Sequence, residues 1–262
     1  MARKDHYYNK AKQEGYRTRA AYKLKQLDEA TGLFGPGNTV VDLGAAPGGW
    51  LQVAAEAVGP RGTVVGVDLQ RIRSVDHDNV ETVRGDMTED ETKDRLREVV
   101  ADRMGDESDR PVDVVVSDMA PNMTGEYSLD HARSVHLARQ AFEVATDLLD
   151  TGGDLAVKVF EGPDLPDLRE EIEDEFQYVR TVHPEASRDE SSELYLVAKH
   201  RLTAPVVVGD ELDVEIIDVG GEGDGIAKVE EFTLFVPDTE TGDEVTVRVT
   251  DVKPRFGFAE VV

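Results

Sequence analysis

The stretch Thr39-Val-Val-Asp-Leu-Gly-Ala-Ala-Pro-Gly-Gly-Trp50 decides the fold of this chain. Thr39–Leu43 is a short apolar run with β-branched residues, which predicts a buried strand. Gly44 follows at once, and the segment from Trp50 to Val58 has the apolar spacing of a helix. A strand that turns at glycines into a helix leaves backbone N–H groups free to face a bound ligand. The stretch therefore predicts a nucleotide-type pocket.

The spacing of glycines and acids indicates which nucleotide this pocket takes. The glycines fall as G-x-x-x-G-G from Gly44, which differs from the dinucleotide fingerprint, and no P-loop lysine follows. Asp68 ends the next predicted strand, about twenty residues after Gly48, where a carboxylate can bind ribose hydroxyls. Asp86 follows a third predicted strand and can face an adenine edge. This order predicts S-adenosylmethionine as the cofactor and methyl transfer as the reaction.

Strands and helices alternate up to about residue 200. The predicted strands are Thr39–Leu43, Thr63–Val67, Val80–Val83, Val112–Ser117, Leu155–Phe160, Tyr178–His183 and Glu193–Lys199. The predicted helices are Thr18–Ala30, Trp50–Val58, Met87–Met104, His131–Leu149 and Leu165–Phe176. This order predicts a Rossmann-like α/β fold, a doubly wound and mainly parallel sheet with helices on both faces. The ligand belongs at the carboxyl ends of the strands, where Asp68, Asp86 and Asp118 fall.

The pattern changes at about Thr203, beyond a predicted linker at Arg201–Ala204. Apolar and polar residues alternate with Gly-rich turns, and no helical period remains. The predicted strands are Pro205–Val208, Glu211–Val219, Ile226–Val229, Thr233–Val236 and Glu244–Val252. Five short strands in residues 203–262 predict a second, all-β domain, a small barrel of the OB type.

The charge balance is strongly acidic, with 55 acidic and 29 basic side chains and a net charge of −26. The acids are spread over the whole chain and lysine is scarce, which is typical of a protein from a salt-filled, halophilic cytoplasm. An ordinary acidic protein is the alternative. Molar salt shortens the screening length to about 3 Å, so the acidity does not exclude a nucleic acid partner.

Several residue types and patterns are absent. The chain has no cysteine, which excludes a disulfide framework, a thiolate metal site and the cysteine nucleophile of enzymes that methylate pyrimidine C5. The six histidines form no pair spaced for one helix face, so we predict no metal site. No apolar run reaches membrane-spanning length, and the N-terminus lacks the apolar segment of a signal peptide. We therefore expect a cytoplasmic protein without a membrane partner.

Residues 1–25 form a basic N-terminal arm with a net charge of +6, which leaves −32 for the rest of the chain. Its basic residues are Arg3, Lys4, Lys10, Lys12, Arg17, Arg19, Lys23 and Lys25. Tyr7, Tyr8 and Tyr16 lie between them, as a surface that stacks on bases would require. A polyanion such as RNA is the partner that this arm predicts, and a solvated basic arm without a partner is the alternative.

Lys158 lies in the apolar run Leu155–Phe160, on a strand predicted to be central. A lysine there is costly unless it is paired or used. We interpret it as a general base; a lysine in that role is favoured by desolvation and adjacent positive charge and opposed by nearby acids. The alternative is a structural lysine whose ammonium group reaches solvent at the strand end.

The segment Asp118-Met-Ala-Pro-Asn122 follows a buried strand and faces the predicted pocket. Enzymes that methylate exocyclic base nitrogens commonly carry an aromatic residue in this loop, where a flipped base stacks. Its absence here disfavours methylation of a base nitrogen. Asp118 is instead predicted to orient the cofactor and to hold a neighbouring cation.

Long motifs in this order resemble the FtsJ-like 2′-O-ribose RNA methyltransferases over residues 15–200. They are Arg19-Ala-Ala-Tyr-Lys-Leu24, Val40-Val-Asp-Leu-Gly-Ala-Ala-Pro-Gly-Gly-Trp50, Ser117-Asp-Met-Ala-Pro-Asn-Met-Thr-Gly125 and Val157-Lys-Val-Phe160. Within that family the chain is most similar to the enzymes that methylate a uridine ribose in large-subunit (23S) rRNA. The resemblance implies an S-adenosylmethionine-dependent enzyme whose partner is large-subunit rRNA or the ribosomal subunit.

The resemblance also implies the roles of individual residues. The family's Lys-Asp-Lys-Glu tetrad corresponds to Lys23, Asp118, Lys158 and Glu193. In this assignment Lys158 takes the proton of the ribose 2′-hydroxyl, Asp118 and Glu193 orient Lys158, and Lys23 helps to place the hydroxyl. The cofactor contacts implied by the family are Gly48, Trp50, Asp68, Asp86 and Asp118.

The C-terminal segment resembles a TRAM domain, a module that binds RNA and delivers it to an attached catalytic domain. The similar segments are Gly220–Lys228, Leu234–Pro237 and Thr241–Val245. This copy departs from a basic RNA binder, with 15 acids and 4 bases from Thr203 onward. A face of Arg248, Lys253, Arg255, Phe256 and Phe258 could still stack on and attract RNA, but the aromatic residues could equally belong to the core. The attached domain suggests an archaeal version of the enzyme.

Three other functions remain open at this point. The first is a tRNA or cap 2′-O-methyltransferase of the same superfamily, which changes the substrate and keeps the chemistry. The second is a non-catalytic RNA-binding ribosome-assembly factor, against which the presence of all four tetrad residues argues. The third is a nicotinamide oxidoreductase, which the glycine spacing disfavours.

Overall fold

The computed structural model describes residues 2–104, 112–188, 191–221 and 223–262. A seven-stranded sheet carries helices on both faces, and a closed five-stranded barrel follows it. The predicted fold class, an α/β sheet with a small all-β barrel behind it, is confirmed.

From residue 18 to residue 201 the helices and strands follow one another in the predicted order, while the helix at residues 2–14 was not predicted. The helices are α1 (Ala2–Glu14), α2 (Ala21–Thr31), α3 (Gly49–Val58), α4 (Asp90–Met104), α5 (Tyr127–Leu148) and α6 (Leu165–Glu173). The strands of the sheet are β1 (Thr39–Leu43), β2 (Thr63–Asp68), β3 (Val80–Arg84), β4 (Val112–Ser117), β5 (Leu149–Phe160), β6 (Phe176–Val182) and β7 (Glu193–Arg201). The strands of the barrel are β8 (Glu211–Val219), β9 (Gly225–Val229), β10 (Phe232–Val236), β11 (Glu244–Val252) and β12 (Phe256–Val261).

The sheet has the strand order β3-β2-β1-β4-β5-β7-β6. Strands β1 to β5 pair in parallel, and β7 pairs antiparallel with both β5 and β6. The order reverses between β1 and β4, and such a switch point opens a crevice at the carboxyl ends of the strands. The glycine turn after β1 and Asp118 after β4 border this crevice.

Two apolar layers cover the sheet. Helices α4, α5 and α6 bury side chains such as Leu96, Ala141 and Leu168 against one face. Helices α2 and α3 bury Leu24 and Leu51 against the other. Strand β1 is buried along its whole length, as a central parallel strand with helices on both sides should be. The sheet is therefore a rigid support for the residues at its carboxyl edge.

Some predicted boundaries in the sheet are wrong. Helix α5 begins at Tyr127 instead of His131, because Asp130 binds the backbone before the helix and so belongs to its first turn. Strand β5 already includes residues 150–153, which were predicted to close the preceding helix. Phe176 begins β6 instead of ending α6, and its ring is buried in the core.

The barrel has the closed order β10-β12-β11-β8-β9. The prediction of five strands is correct in number but wrong in one member. Pro205–Val208 forms no strand, and Val207 and Val208 are exposed. The fifth strand is β12. Along it the exposed Phe256 and Phe258 alternate with the buried Gly257 and Ala259.

None of the helices in the described ranges is both long enough and apolar enough to cross a membrane.

Candidate active site

The glycine turn after β1 forms one wall of a cleft at the carboxyl edge of the sheet. Gly44 has φ +82°, and a Cβ at this position would lie 2.7 Å from Cγ of Met119. Gly48 has φ +106°, and a Cβ there would lie 2.8 Å from Nη1 of Arg17. Both positions therefore require glycine, because the left-handed conformation is strained for other residues and the neighbouring atoms leave no room.

A cavity of about 370 Å³ opens beside this turn. Its lining includes Gly44, Ala46, Asp68, Leu69, Asp86, Met87, Asp118, Met119, Asn122 and Gln140. The Asp68 carboxylate accepts hydrogen bonds from the backbone N–H groups of Ala46 at 2.9 Å and Gln70 at 2.7 Å. These bonds fix the carboxylate of Asp68 at the end of β2, facing the cavity.

Asp86 lies across the cavity on the turn after β3. Its carboxylate accepts hydrogen bonds from the backbone N–H and the hydroxyl of Thr88, at 3.0 and 2.8 Å. These two bonds lower the pKa of Asp86, so the group is an anion at neutral pH. The structure thus places Asp68 and Asp86 where the sequence predicts them.

Gly48 and Trp50, the other two predicted cofactor residues, do not line the cavity with side chains. The indole of Trp50 is buried; it donates to the Ala20 carbonyl oxygen at 2.8 Å and packs on the ring of Tyr195. The first turn of α3 still leaves backbone N–H groups without helical partners. A ligand contact by Gly48 or Trp50 therefore has to use the main chain.

Asp42 is a feature that the sequence analysis missed. Its side chain is fully buried on β1, and neither carboxylate oxygen has a hydrogen-bond partner among the described residues. Burial raises the pKa of Asp42 well above its ordinary value, and the negative charges of Asp118 and Asp68 raise it further. Burial and these neighbouring charges therefore favour the protonated form of Asp42 over its carboxylate.

The predicted tetrad comes together as two lysine–carboxylate pairs. Nζ of Lys158 lies 2.9 Å from Oδ1 of Asp118 and also donates to the Asp118 carbonyl oxygen. Lys23 forms an ion pair with Glu193. Both lysines are largely buried, and Asp118 and Glu193 are partly buried. The structure thus brings together the four residues that the family resemblance implies.

Tyr195 connects the two pairs. It stands opposite Lys158 in the register of β5 and β7, and its hydroxyl donates to Oδ1 of Asp118 at 2.6 Å. Nζ of Lys23 lies 6.0 Å from the centre of the Tyr195 ring. Burial and the negative charges of Asp118 and Glu193 raise the pKa of Tyr195, so its hydroxyl keeps its proton and stays a donor.

The ionisation of Asp118 follows from this arrangement. Burial by itself would raise the pKa of Asp118. The charges of Lys158 and Lys23, with the hydrogen bonds from Lys158 and Tyr195, outweigh burial and lower the pKa below its ordinary value. Asp118 is therefore an anion that holds the Lys158 ammonium or amine in a fixed position.

The roles of Tyr195 and Arg17 at this site were not predicted from the sequence. Tyr195 follows Glu193 by two positions on a strand, so the two side chains share a face, and this period could have indicated it. Arg17 donates to the carbonyl oxygens of Pro47 at 2.8 Å and Arg73 at 2.7 Å, and also to that of Ser74. Nothing in the local sequence indicates that Arg17 fastens the glycine turn to the connection between β2 and β3.

The stacking surface predicted on the N-terminal arm is only partly present. Tyr7 and Tyr16 turn inward and pack against Tyr22, with ring centroids 5.4 and 5.8 Å from it. Lys25 lies over the Tyr16 ring at 4.4 Å. Tyr8 stays 60% exposed, so one of the three predicted tyrosines is open to a partner. Tyr7 and Tyr16 are partly buried, although charged residues flank them in the sequence, because α1 packs on α2.

Among residues 2–104, 112–188, 191–221 and 223–262, no group of three or more His, Asp or Glu side chains is placed to hold a metal ion.

Residues 16–201 match the FtsJ-like methyltransferase family, and residues 205–262 match the TRAM domain. The chain belongs to the FtsJ-like methyltransferase family. The resemblance drawn from the sequence motifs is therefore confirmed, and so is the TRAM domain.

Relatives of this methyltransferase carry both domains. The "Ribosomal RNA large subunit methyltransferase E" of Natronomonas pharaonis is 68% identical over 262 residues, and that of Haloquadratum walsbyi is 65% identical over 262 residues. Each match covers 100% of this chain and 100% of the relative. These relatives come from halophilic archaea, as the acidic composition of this methyltransferase predicts.

A solved structure is also similar to this methyltransferase. The crystal structure of a ribosomal RNA methyltransferase from Plasmodium falciparum superposes with a TM-score of 0.61 and 27% sequence identity. The match covers 71% of this chain and 98% of that chain. This similarity supports the assignment of a methyltransferase fold to this chain.

Proposed function

We propose that this methyltransferase transfers a methyl group from S-adenosylmethionine to the ribose 2′-hydroxyl of a uridine in 23S rRNA. The observation that carries the proposal is the Lys158–Asp118 pair, held by Tyr195 at the rim of the cofactor cavity. Asp118 fixes the position of the Lys158 Nζ atom and stabilises the ammonium ion that forms when Lys158 accepts a proton. The relatives' printed name, a large-subunit rRNA methyltransferase, supports the choice of substrate.

The residues of the cavity fit S-adenosylmethionine. Asp68 would accept hydrogen bonds from the cofactor ribose, and Asp86 would face the adenine edge. Trp50 would contribute its main-chain N–H group, and Asp118 would border the reacting end. The N–H of Gly48 donates to the Ala45 carbonyl oxygen at 2.7 Å, so Gly48 would contribute the close approach that the lack of a Cβ allows. When bound, this cofactor supplies an electrophilic methyl group on a sulfonium sulfur.

The chain's own residues then act on the acceptor hydroxyl. Lys158, in its neutral amine form, accepts the hydroxyl proton at Nζ and becomes an ammonium ion as the 2′-oxygen attacks. Asp118 orients the Lys158 amine and stabilises the ammonium that forms. Glu193 was expected to orient Lys158, but its ion pair is with Lys23, so Glu193 orients Lys23, which helps to place the hydroxyl. Positioning contributes much of the rate, because a held near-attack geometry replaces a bimolecular encounter.

The basic arm and the TRAM barrel are the proposed RNA contacts. On the barrel, Phe256 and Phe258 are each 37% exposed and pack edge to face, with ring centroids 5.6 Å apart. The barrel core consists of other residues, among them Leu234 and Val247. The alternative that these aromatics form the core is therefore excluded for this face.

Charge contributes less to this face than the sequence suggested. Arg248 pairs with Glu211, and Nζ of Lys253 lies 2.8 Å from Oδ2 of Asp251. Stacking on Phe256 and Phe258 is therefore the proposed main contact, which suits high salt because phosphate contacts weaken there.

Replacing Phe256 and Phe258 together with serine should weaken rRNA binding at least about thirtyfold, because two stacked bases at about 1–3 kcal/mol each contribute about 2 kcal/mol or more. Filter binding in concentrated KCl measures the loss. Tyr178→Ser is the control, since Tyr178 is exposed on β6 of the other domain. Equal binding by the double variant and the parent would contradict the role of this face.

The division of labour follows the chain. We assign methyl transfer to residues 15–200 and RNA delivery to residues 203–262, with residues 1–25 as a second RNA contact. Because large-subunit rRNA is the proposed substrate, we expect the enzyme to work in the cytoplasm.

Labelled S-adenosylmethionine tests the whole proposal. The enzyme is incubated in concentrated KCl with undermethylated large ribosomal subunits and, separately, with tRNA, and the labelled nucleotide is identified. We expect label as 2′-O-methyluridine in 23S rRNA. Label confined to tRNA or to a cap would keep the chemistry and overturn the substrate. Cofactor binding without any transfer would instead favour a non-catalytic assembly factor.

A further inference from the structure

A second, smaller cavity of about 180 Å³ lies beside the tetrad. Its lining consists of Met123, Gly125, Tyr127, Asp130, His131, Phe160 and Ser192. None of these residues belongs to the tetrad or to the predicted cofactor contacts. The cavity therefore has no role in the chemistry described so far.

The loop after β4 separates this cavity from the cofactor cavity. Asp118 and Asn122 line the cofactor cavity, while Met123 and Gly125 line the smaller one. The carboxylate of Asp130 anchors the loop by accepting hydrogen bonds from the backbone N–H groups of Thr124 at 2.8 Å and Gly125 at 2.9 Å. The two cavities thus share one fixed wall.

The strand register places the smaller cavity next to the proposed base. Phe160 follows Lys158 by two positions on β5, so both side chains lie on the same face of the sheet. Phe160 pairs with Glu193 of β7, and Ser192 directly precedes Glu193. The cavity therefore lies at the carboxyl end of β5, two residues beyond Lys158, with Asp130 and His131 of α5 in its lining.

Tyr127 gives the cavity an aromatic wall. The Tyr127 hydroxyl donates to the Glu161 carbonyl oxygen at 2.6 Å, which fixes the ring, yet 59% of the residue is exposed. Met123 is 63% exposed on the opposite part of the lining. A fixed aromatic ring with an open face and a flexible thioether near it form a surface for a flat, uncharged group.

We propose that this cavity holds an unpaired nucleobase of the substrate RNA, stacked on Tyr127 next to the acceptor ribose. The inference rests on the proposed function, since it requires a ribose at Lys158. Lysine and arginine are absent from the seven lining residues, so the cavity suits a base better than a phosphate. Base stacking also persists in the salt that weakens phosphate contacts.

Two variants of Tyr127 separate stacking from structure. Tyr127→Leu removes the ring, and we expect KM for rRNA to rise about tenfold, with kcat and cofactor affinity within twofold of the parent. Tyr127→Phe keeps the ring and loses only the bond to the Glu161 carbonyl oxygen that helps to fix it, so its KM should stay much closer to that of the parent than the KM of Tyr127→Leu. Tyr178→Leu, an exposed tyrosine on β6, is the control and should also match.

The same variants give outcomes that overturn the proposal. Equal losses for Tyr127→Phe and Tyr127→Leu would show that the hydroxyl bond, and not stacking, is what matters. A KM for Tyr127→Leu within twofold of the parent would also overturn it. The proposed function fails separately, because in that case the parent chain itself transfers no methyl group to rRNA.

Abasic substrates identify the base that occupies the cavity. The rRNA substrate carries one abasic site, at the acceptor or at either neighbouring nucleotide. At the correct position, the parent and Tyr127→Leu should have the same KM, because the stacked base is gone from both reactions. If all three abasic substrates preserve the full difference between the parent and Tyr127→Leu, the base lies elsewhere and the proposal is wrong.

Discussion

Two buried lysine–aspartate pairs lie at opposite ends of the same sheet. Lys158 and Asp118 meet at the carboxyl edge, beside the cofactor cavity. Lys199 of β7 pairs with Asp154 near the other edge, where Nζ of Lys199 also donates to the Gly32 carbonyl oxygen at 2.8 Å. Both lysine side chains are 6% exposed, so burial does not distinguish the two pairs.

The two carboxyl groups respond in opposite directions. Burial raises the pKa of Asp154, and the hydrogen bond and charge of Lys199 only partly oppose this rise. Burial also acts on Asp118, but there the charges of Lys158 and Lys23 and the hydrogen bond from Tyr195 prevail and lower the pKa. The difference is a second lysine and a tyrosine hydroxyl at Asp118.

A buried ion pair is therefore not by itself a sign of catalysis. Lys199 and Asp154 contact each other at an edge of the core. Lys199 also donates to the carbonyl oxygen of Gly32, directly after α2, and Asp154 accepts from the backbone N–H of His200 in β7. A cavity adjoins both pairs, since Asp118 lines one and Asp154 lines another. The excess of cations at Asp118, and not burial or a cavity, distinguishes the pair that we propose to be catalytic.

Replacing each lysine with methionine should separate the two roles most strongly. Lys158→Met should lower the single-turnover rate of methyl transfer by a factor on the order of 10²–10⁴, the contribution of a general base. Cofactor affinity measured by calorimetry should change little. Lys199→Met should transfer methyl groups at nearly the parent rate per folded molecule.

Either of two results would break this contrast. One is near-parent turnover by Lys158→Met, which would remove Lys158 from the proton transfer. The other is a loss of turnover by correctly folded Lys199→Met equal to that of Lys158→Met. Circular dichroism in the assay buffer checks the fold of both variants.

The next largest effect that we expect is on the unfolding free energy, when the pair of Lys199 and Asp154 is broken. Lys199→Met alone should cost about 3–5 kcal/mol of unfolding free energy, because it leaves a buried carboxylate without its partner. Adding Asp154→Leu should restore much of that stability, since an apolar pair of similar volume often substitutes for a buried ion pair. Urea unfolding in concentrated KCl measures both variants. No recovery in the double variant would indicate a role beyond pairing.

The pH dependence of stability gives the smallest effect and has opposite signs at the two acids. The pKa of Asp154 is raised above 3.8, so the folded protein holds a proton that the unfolded chain has lost, and stability falls as pH rises above 3.8 through the folded pKa. The pKa of Asp118 is lowered, so its contribution is present above 3.8 and is lost as pH falls below it.

Asparagine variants isolate these slopes. Asp154→Asn should flatten the decline of stability above pH 3.8, and Asp118→Asn should flatten the loss below it. Unfolding free energies measured from about pH 2 to pH 7 give both slopes. Slopes of the same sign for the two carboxyl groups would contradict the structural comparison.

The sequence predicted the parts of the site that local pattern encodes. Lys158 stands out because apolar residues flank it on a predicted strand. The glycine turn stands out because its glycines lie between a predicted strand and a predicted helix. Glu193 and Lys23 needed the family resemblance, since a single acid at a strand start and a single lysine on a helix are common surface features. Their pairing appears only in the tertiary structure.

Other features could not be read from local pattern. Lys199 lies at the polar end of a predicted strand, so nothing marked it as buried. Pro205–Val208 alternates like a strand, but the barrel closes with β12 instead, and that choice depends on pairing between distant segments. Asp42 sits inside the motif that was interpreted first, yet its missing hydrogen bonds are visible only in three dimensions.

The guanidinium of Arg17 links the basic arm to the glycine turn. It belongs to the arm and holds carbonyl oxygens of the glycine turn and of the β2–β3 connection. RNA that stabilises this arrangement of the arm also preorganises the cofactor cleft, so it should tighten cofactor binding. Reciprocity then requires the cofactor to tighten RNA binding by the same factor. A chain shortened before Arg17 would lose this cooperativity while keeping every residue that touches either ligand's reacting atoms.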